Sequence, residues 1–305
     1  MYKINKKTIL GFFLSIAGLY WAFYDFKFDD FLHAVKNSNI FLIMLACFTI
    51  IFSVWLRAVR WKLLISASNL TVKNLYDIEM IGFFGNNILP LRAGEIYRSI
   101  LLSKKTNLSK SYCFGTIVIE RTLDLIGILI AFSVLTIFYP IPKDFKNLVI
   151  LLFFVLATMI LVFFTTHKLF DLKQIKKINF LDQFFRSFIN LKAKTIFLSI
   201  LWTILIWFIY FLDTHLIQYA LNINMSWEQT LFVLVMTSLA MAIPSAPGTI
   251  GTFHATVKFV MVSILGFEAN LANTYGIILH AYGFITLTII GAYYFLFSFK
   301  KQNLI

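Results

Sequence analysis

The run from Tyr112 to Tyr139 reads YCFGTIVIERTLDLIGILIAFSVLTIFY. A stretch of this length with so few polar residues suits a helix that crosses a bilayer, which needs about 20 consecutive apolar residues. A spanning β-strand would instead alternate polar and apolar positions over about 10 residues. Yet Glu120, Arg121 and Asp124 stand eight to twelve residues inside the run. Charges at such depth are rare in membrane helices and mark sites of function or of ion pairing.

Similar apolar runs recur on both sides. They cover Thr8–Tyr24, Ile40–Leu56, Ile78–Leu91, Leu148–Thr166, Thr195–Tyr219, Glu228–Ile243, Thr252–Gly266 and Leu271–Phe299. The whole chain of 305 residues is 60% hydrophobic and 13% charged. Soluble proteins carry about 25% charged residues, so a soluble enzyme, a disordered chain and a disulfide scaffold are excluded. The fold expected is all-α: a polytopic membrane protein of six to eight transmembrane helices, forming one integral membrane domain over residues 1–305. Lys3, Lys6 and Lys7 precede an apolar run too long for a signal core, so Thr8–Tyr24 reads as an uncleaved first helix. Cys47 and Cys113 show no paired spacing and read as packing residues.

The net charge of +13 concentrates between the apolar runs. Basic loops face the cytoplasm and attract anionic lipid, so nucleic acid is not the partner expected. Arg57, Arg60 and Lys62, which end the Ile40–Leu56 run, read as cytoplasmic loop charges, as do Lys104, Lys105 and Lys110. Arg92 and Arg98 belong to the same cytoplasmic cluster as Lys104, Lys105 and Lys110; the Asp25–Lys36 loop falls outside, and the termini fall inside. This assignment holds if Ile78–Leu91 enters and leaves the membrane on one face. Residues 167–194 are strongly basic, with apolar residues at helical spacing. They read either as an amphipathic helix on the membrane surface or as a helical connector with a solvated face.

Two segments are poor helices. One contains Pro90-Leu-Arg-Ala-Gly94, the other Ile243-Pro-Ser-Ala-Pro-Gly-Thr-Ile-Gly251. Proline and glycine inside a helix are costly, and open backbone at membrane depth must be buried in protein or line a wet cavity. Pro90-x-x-x-Gly94 and Pro244-x-x-x-Gly248 lie 154 residues apart and enter from opposite faces by the loop charges. Inverted-repeat transporters have this arrangement, with the substrate site at the repeat interface. The candidate halves are about 40–166 and 195–299.

The candidate substrate-binding residues gather at these breaks and in the charged run. In the first half they are Asn87, Arg92, Gly94, Glu95, Arg98, Glu120, Arg121 and Asp124. In the second they are Pro247, Gly248, Gly251 and His254. Arg92, Glu95 and Arg98 fall at three-residue spacing, so on a helix they pair along one face. Glu120 and Asp124 share a face with Arg121 beside them. Two readings stay open: an ion-pair lock between helices with Arg92 or Arg98 as partner, or a site for a lipid headgroup or a proton. No metal spacing, nucleotide loop or hydrolase elbow is present, so neither metal nor cofactor is expected, and no catalytic residue is assigned.

Taken in order, Asn87-Ile-Leu-Pro-Leu-Arg-Ala-Gly-Glu95 with Arg98, Glu120-Arg-Thr-Leu-Asp124 and Pro244-Ser-Ala-Pro-Gly-Thr-Ile-Gly251 resemble the lysylphosphatidylglycerol synthase transmembrane (flippase-like) family. The last motif of that family often reads Pro-Gly-Gly-Ile-Gly; here Thr249 replaces one glycine. The best-known members add a cytoplasmic domain that transfers lysine to phosphatidylglycerol, and the resemblance does not extend to that activity. It implies a lipid flippase or transporter moving a phospholipid or lipid-linked molecule between leaflets of a plasma (inner) membrane. Arginine guanidinium groups would hold the lipid phosphate. Two other functions remain in play: a membrane glycosyltransferase using a lipid-phosphate sugar donor, and a non-transporting subunit of a membrane complex. The expected partners are membrane lipids, anionic or lipid-linked, with a homo-oligomer or a second membrane protein left open.

Overall fold

A computed structural model describes residues 6–298, apart from 66, 68–69, 142, 144, 148–149, 152, 155–156, 159–178, 190 and 243–245. Its helices are α1 (Lys6–Phe23), α2 (Phe28–Lys36), α3 (Ile40–Leu64), α4 (Val72–Ile88), α5 (Ala93–Lys105), α6 (Lys110–Phe138), α7 (Asn179–Ile189), α8 (Ala193–Ala220), α9 (Trp227–Met241), α10 (Ile250–Lys258) and α11 (Ala269–Tyr293). α10 continues as a π-helix over Phe259–Ile264, and α11 over Tyr294–Ser298. There is no strand among the described residues, as an all-α membrane protein requires. Four helices among them are long and apolar enough to cross a membrane: α3, α6, α8 and α11 with its extension. α9 is apolar but shorter. The span expected at Leu148–Thr166 falls largely outside the described residues.

Local sequence explains where the elements start. Asn39 caps α3 by accepting hydrogen bonds from the Phe41 and Leu42 amides. Thr71 and Asn74 form a capping box at the start of α4, and Ser226 and Gln229 form one at the start of α9. Ser109 caps α6 and Glu268 caps α11. Each cap satisfies amides that have no partner within the helix.

α3 and α8 pack along each other in opposite directions. The Asn39 amide before α3 donates to the Ala220 carbonyl at the end of α8 (2.8 Å), and Arg60 near the end of α3 donates to Thr203 early in α8 (2.8 Å). α4 therefore starts at one end of this pair and α9 at the other. Around the pair, α3–α6 and α8–α11 make matching contacts. α3 packs on α4 as α8 does on α9, and α5 on α6 as α10 does on α11. Across the halves, α4 packs on α11 and α9 on α6. Outside this frame α1 lies against α10, and α7 lies against α6, where Ser187 meets Gly115. α7 is the described part of the basic linker.

Large apolar side chains point outward along α3 (Phe41, Met44, Phe48), α8 (Phe197, Leu201, Phe208) and α11 (Ile285, Ile289). Such stripes are the surface a helix presents to lipid chains. Inside, one apolar core joins α6, α8, α9, α10 and α11 through residues such as Phe132, Trp207, Phe232 and Val257. A second core joins α3, α4, α5 and α6 around Trp61, Leu75 and Leu102. The chain breaks and the charged groups lie where these cores adjoin.

Candidate functional site

Both helix breaks are built the same way. α4 ends at Ile88, Pro90–Arg92 makes one 3₁₀ turn, and α5 starts at Ala93. α9 ends at Met241, Pro247–Thr249 makes one 3₁₀ turn, and α10 starts at Ile250. Proline suits the first position of such a turn because its ring fixes φ and it needs no amide partner. The residue that closes each turn is left-handed: Arg92 has φ 52° and Thr249 has φ 57°. Side chains other than glycine sit there at a cost of about 1–2 kcal/mol. Four residues after each proline stands a glycine in close contact with backbone. A Cβ on Gly94 would strike the Gly82 carbonyl, and one on Gly251 would strike Ser15. The structural counterpart of Pro90-x-x-x-Gly94 is therefore Pro247-x-x-x-Gly251, three residues beyond the pairing expected from sequence. Pro244 itself lies outside the described residues.

The two turns touch. The Arg92 guanidinium, although exposed, donates to the Met241 carbonyl at the end of α9. Helix ends leave carbonyls without partners and carry partial negative charge, so a cation is favoured there. The first break thus caps the half-helix of the second. Asn87 adds a tie from α4 to α11, donating to Thr288 Oγ1 (2.8 Å) and to the Phe284 carbonyl (3.3 Å). Gly248 has φ 69°, and its carbonyl accepts from His280 Nε2 at 2.9 Å. His254 is buried behind it, its ring edge-on to His280 at 5.2 Å between centroids. The starts of α5 and α10 leave backbone amides at this junction, the positive ends of two helices.

Beside the junction lies a buried ion network. Arg98 of α5 bridges Glu79 of α4 and Glu120 of α6, the latter at 2.6 Å. Its guanidinium lies over the Trp61 ring at 4.2 Å, and Trp61 donates to Thr116 of α6 (3.0 Å). Arg60 of α3 reaches Asp124 at 2.7 Å and Glu120 at 3.7 Å. Arg57 of α3 reaches Asp124 at 3.2 Å and Glu79 at 3.8 Å. Arg121 pairs with Asp124 (3.2 Å) and with Glu95 of α5 (3.6 Å). Arg60 and Glu120 are 0% exposed. Four guanidinium groups face four carboxyl groups, so the network is neutral when all are ionised. Charge at this depth is affordable only when it is paired and hydrogen-bonded in this way.

Sequence spacing brings Glu120, Arg121 and Asp124 together correctly and names Arg98 as a partner. It errs for the first break, where Arg92, Glu95 and Arg98 do not pair with one another. The left-handed turn at Arg92 sends its side chain to α9, while Glu95 turns to Arg121 and Arg98 to Glu79 and Glu120. Arg57, Arg60 and Arg98 are corrected from cytoplasmic loop charges to buried residues, the first two in α3, which runs on to Leu64, and the third in α5; Lys62 is exposed. Glu79 was not expected. The available signal was the absence of any proline or glycine between Ile40 and Leu64, which lets the helix carry Arg57 and Arg60 inward one turn apart.

Comparison with known proteins agrees with this architecture. Residues 8–291 match the family described as the lysylphosphatidylglycerol synthase TM region. Two UPF0104 membrane proteins of Methanocaldococcus jannaschii are 32% and 31% identical over 190 and 186 residues, covering 60% and 58% of this chain and 79% and 54% of theirs. A UPF0104 membrane protein of Pyrococcus horikoshii is 26% identical over 301 residues, 87% of this chain and 88% of its own. No solved structure matches. The chain belongs to the lysylphosphatidylglycerol synthase TM region family and is a multi-pass membrane protein.

Proposed function

We propose that this family member moves an anionic phospholipid or lipid-linked molecule between leaflets of a plasma (inner) membrane, and that the headgroup is held where the two helix breaks meet. The observation that carries the reading is Arg92. It is an exposed guanidinium beyond the neutral four-by-four network, set at the contact of the two 3₁₀ turns. With one donor spent on Met241, it keeps others for a phosphate. The starts of α5 and α10 add helix dipoles that favour the same anion. Arg121, with a side chain 34% exposed, is the next guanidinium along this edge. Glu120 and Arg98 belong to the framework, because lipid has no access to them.

Depth supports the reading as well. α4 is 17 residues and α9 is 15, so at 1.5 Å per residue they run about 25 Å and 22 Å from opposite ends. They meet within the hydrocarbon layer, where a headgroup must pass. Basic clusters at Lys104, Lys105, Lys110 and the 167–194 linker support an orientation with both termini in the cytoplasm. The halves, about 40–166 and 195–299, then form the two sides of the path.

The test is reconstitution into vesicles carrying fluorescent phosphatidylglycerol, with dithionite quenching read from one side. Wild type should move the lipid across, and Arg92→Ala should lose most of the rate while keeping the wild-type melting profile in detergent. Equal rates for the two proteins would contradict the headgroup assignment.

A further inference from the structure

Asp213 lies in α8, 0% exposed, and it differs from every acidic group of the ion network. No cation among the described residues comes within ion-pair distance of it. Its two oxygens meet hydroxyls only. Oδ1 lies against Thr49 Oγ1 of α3, and Oδ2 lies 3.4 Å from the Tyr282 hydroxyl of α11.

Thr49 Oγ1 faces both its own helix carbonyls and the Asp213 carboxyl. A threonine hydroxyl has one proton to give. The Thr49 hydroxyl already has an acceptor in the Leu45 carbonyl at 2.9 Å, the usual helical back-bond. The same hydroxyl donates to Asp213 Oδ1, so the helix carbonyl and the carboxyl compete for one proton, and a proton held by Asp213 would relieve that competition. The Tyr282 hydroxyl serves the other oxygen. A protonated Asp213 is thus matched on both sides. An ionised one is left with two neutral hydroxyls and no counter-charge, an expensive arrangement away from water.

The groups around Asp213 offer no substitute charge. α3 brings Thr49 and, two turns on, Arg57, which is engaged with Asp124 and Glu79. α11 brings Tyr282 and Tyr275, the latter donating to the Thr214 carbonyl. On α8 itself, Tyr210 faces Arg57 at 3.5 Å and His215 turns to Thr230 of α9. α6 contributes Asp124, held on the Arg57 side. Tyr210, beside Arg57, and Tyr282, beside Asp213, both pack against the apolar cluster of Ile50, Val54, Met80 and Leu287.

We propose that Asp213 is a proton-binding site, taking up and releasing one proton in each transport cycle, and that it couples lipid movement to a pH gradient. The chemistry is an oxygen acid binding H⁺ and no covalent bond to lipid is made or broken. The coupling rests on the transport reading above; the proton site itself does not.

Two readouts separate them. In the first, vesicles holding wild type or Asp213→Asn are given a pH gradient while fluorescent phosphatidylglycerol movement is followed. Wild type should speed up severalfold with the gradient. Asp213→Asn should move lipid downhill at a rate the gradient does not change. Equal stimulation of both proteins would overturn the coupling. In the second, infrared spectra of purified wild type are taken across neutral pH in H₂O and D₂O. A protonated-carboxyl band that shifts on deuteration and is missing in Asp213→Asn supports the site even if no lipid moves. Absence of that band in wild type would overturn the proton site, whatever the transport assay gives. Thr49→Val, which keeps the carboxyl but removes its acceptor, should move the same band and guards against a variant that simply misfolds.

Discussion

The two helix breaks share one backbone and are fastened by different chemistry. Each has a capped half-helix, a proline-led 3₁₀ turn, a left-handed closing residue and a glycine pressed on backbone four residues after the proline. In the first half, α5 is then tied to α4 and α6 by ion pairs of Arg98 and Glu95, and to α3 by Arg98 over Trp61. In the second, α10 has a single ion pair among the described residues, Lys258 with Asp25, in place of a network. It is held by the glycine crossing of Gly251 on Gly18 and Ser15, by Ser15 accepting from the Ala246 amide, and by His280 on the Gly248 carbonyl. Lys258 adds a tie to Asp25 and to the end carbonyls of α1. A paired ion network tolerates little displacement, since moving one partner leaves a charge uncompensated. Small-residue contacts and single hydrogen bonds tolerate more. The first half is thus fastened by one buried charge network and the second by separate, smaller contacts.

The largest effect should fall on the lock. Arg98→Met leaves Glu79 and Glu120 facing each other with less compensation, and breaking a buried pair this way costs about 3–5 kcal/mol. Denaturant titration in detergent should show that loss. A change under 1 kcal/mol would mean the network does little to hold α5, and the contrast between the halves would fail.

The glycines should behave alike in spite of the different fastening. Gly94→Ala and Gly251→Ala each force a methyl against backbone, and overpacking of this kind costs about 1–3 kcal/mol. Equal losses in thermal melts would show that the shared backbone device bears weight in both halves. A loss confined to Gly94 would show that α10 can slide off α1.

The smallest effect should be a gain. Thr249 occupies a left-handed position that glycine adopts freely. Thr249→Gly should raise stability by about 1 kcal/mol with lipid movement unchanged, measured in the same melts. The equivalent residue in the first half is Arg92, whose strain is retained together with its guanidinium; a left-handed residue other than glycine at a junction is where function tends to reside.

Hydrophobic runs made the helices legible, and the charges at Glu120 and Asp124 made the network's location legible, because both signals are local. The partners were not. Arg57 and Arg60 follow an apolar run, and the loop-charge rule that oriented the chain also claimed them. Only the packing of α3 against α6 and α8 shows that they turn inward. The junction was half legible. Prolines and glycines marked both breaks, but two proline patterns overlap in Pro244–Gly251, and the reading took Pro244-x-x-x-Gly248. The fold chose Pro247, because Gly251 and not Gly248 meets the α1 backbone. Asp213 was given no role from sequence, since a lone acidic residue near the outer end of a helix reads as ordinary until its neighbours prove to be uncharged.

The central claim is that the meeting point of the two breaks holds a lipid headgroup through Arg92. Native mass spectrometry of the protein released from its own membrane tests it most directly, with Arg92→Ala beside wild type. The account predicts a specific anionic or lipid-linked molecule bound to wild type and absent from Arg92→Ala, with the overall fold of both preserved. The same mixed bulk lipid on both proteins would contradict it.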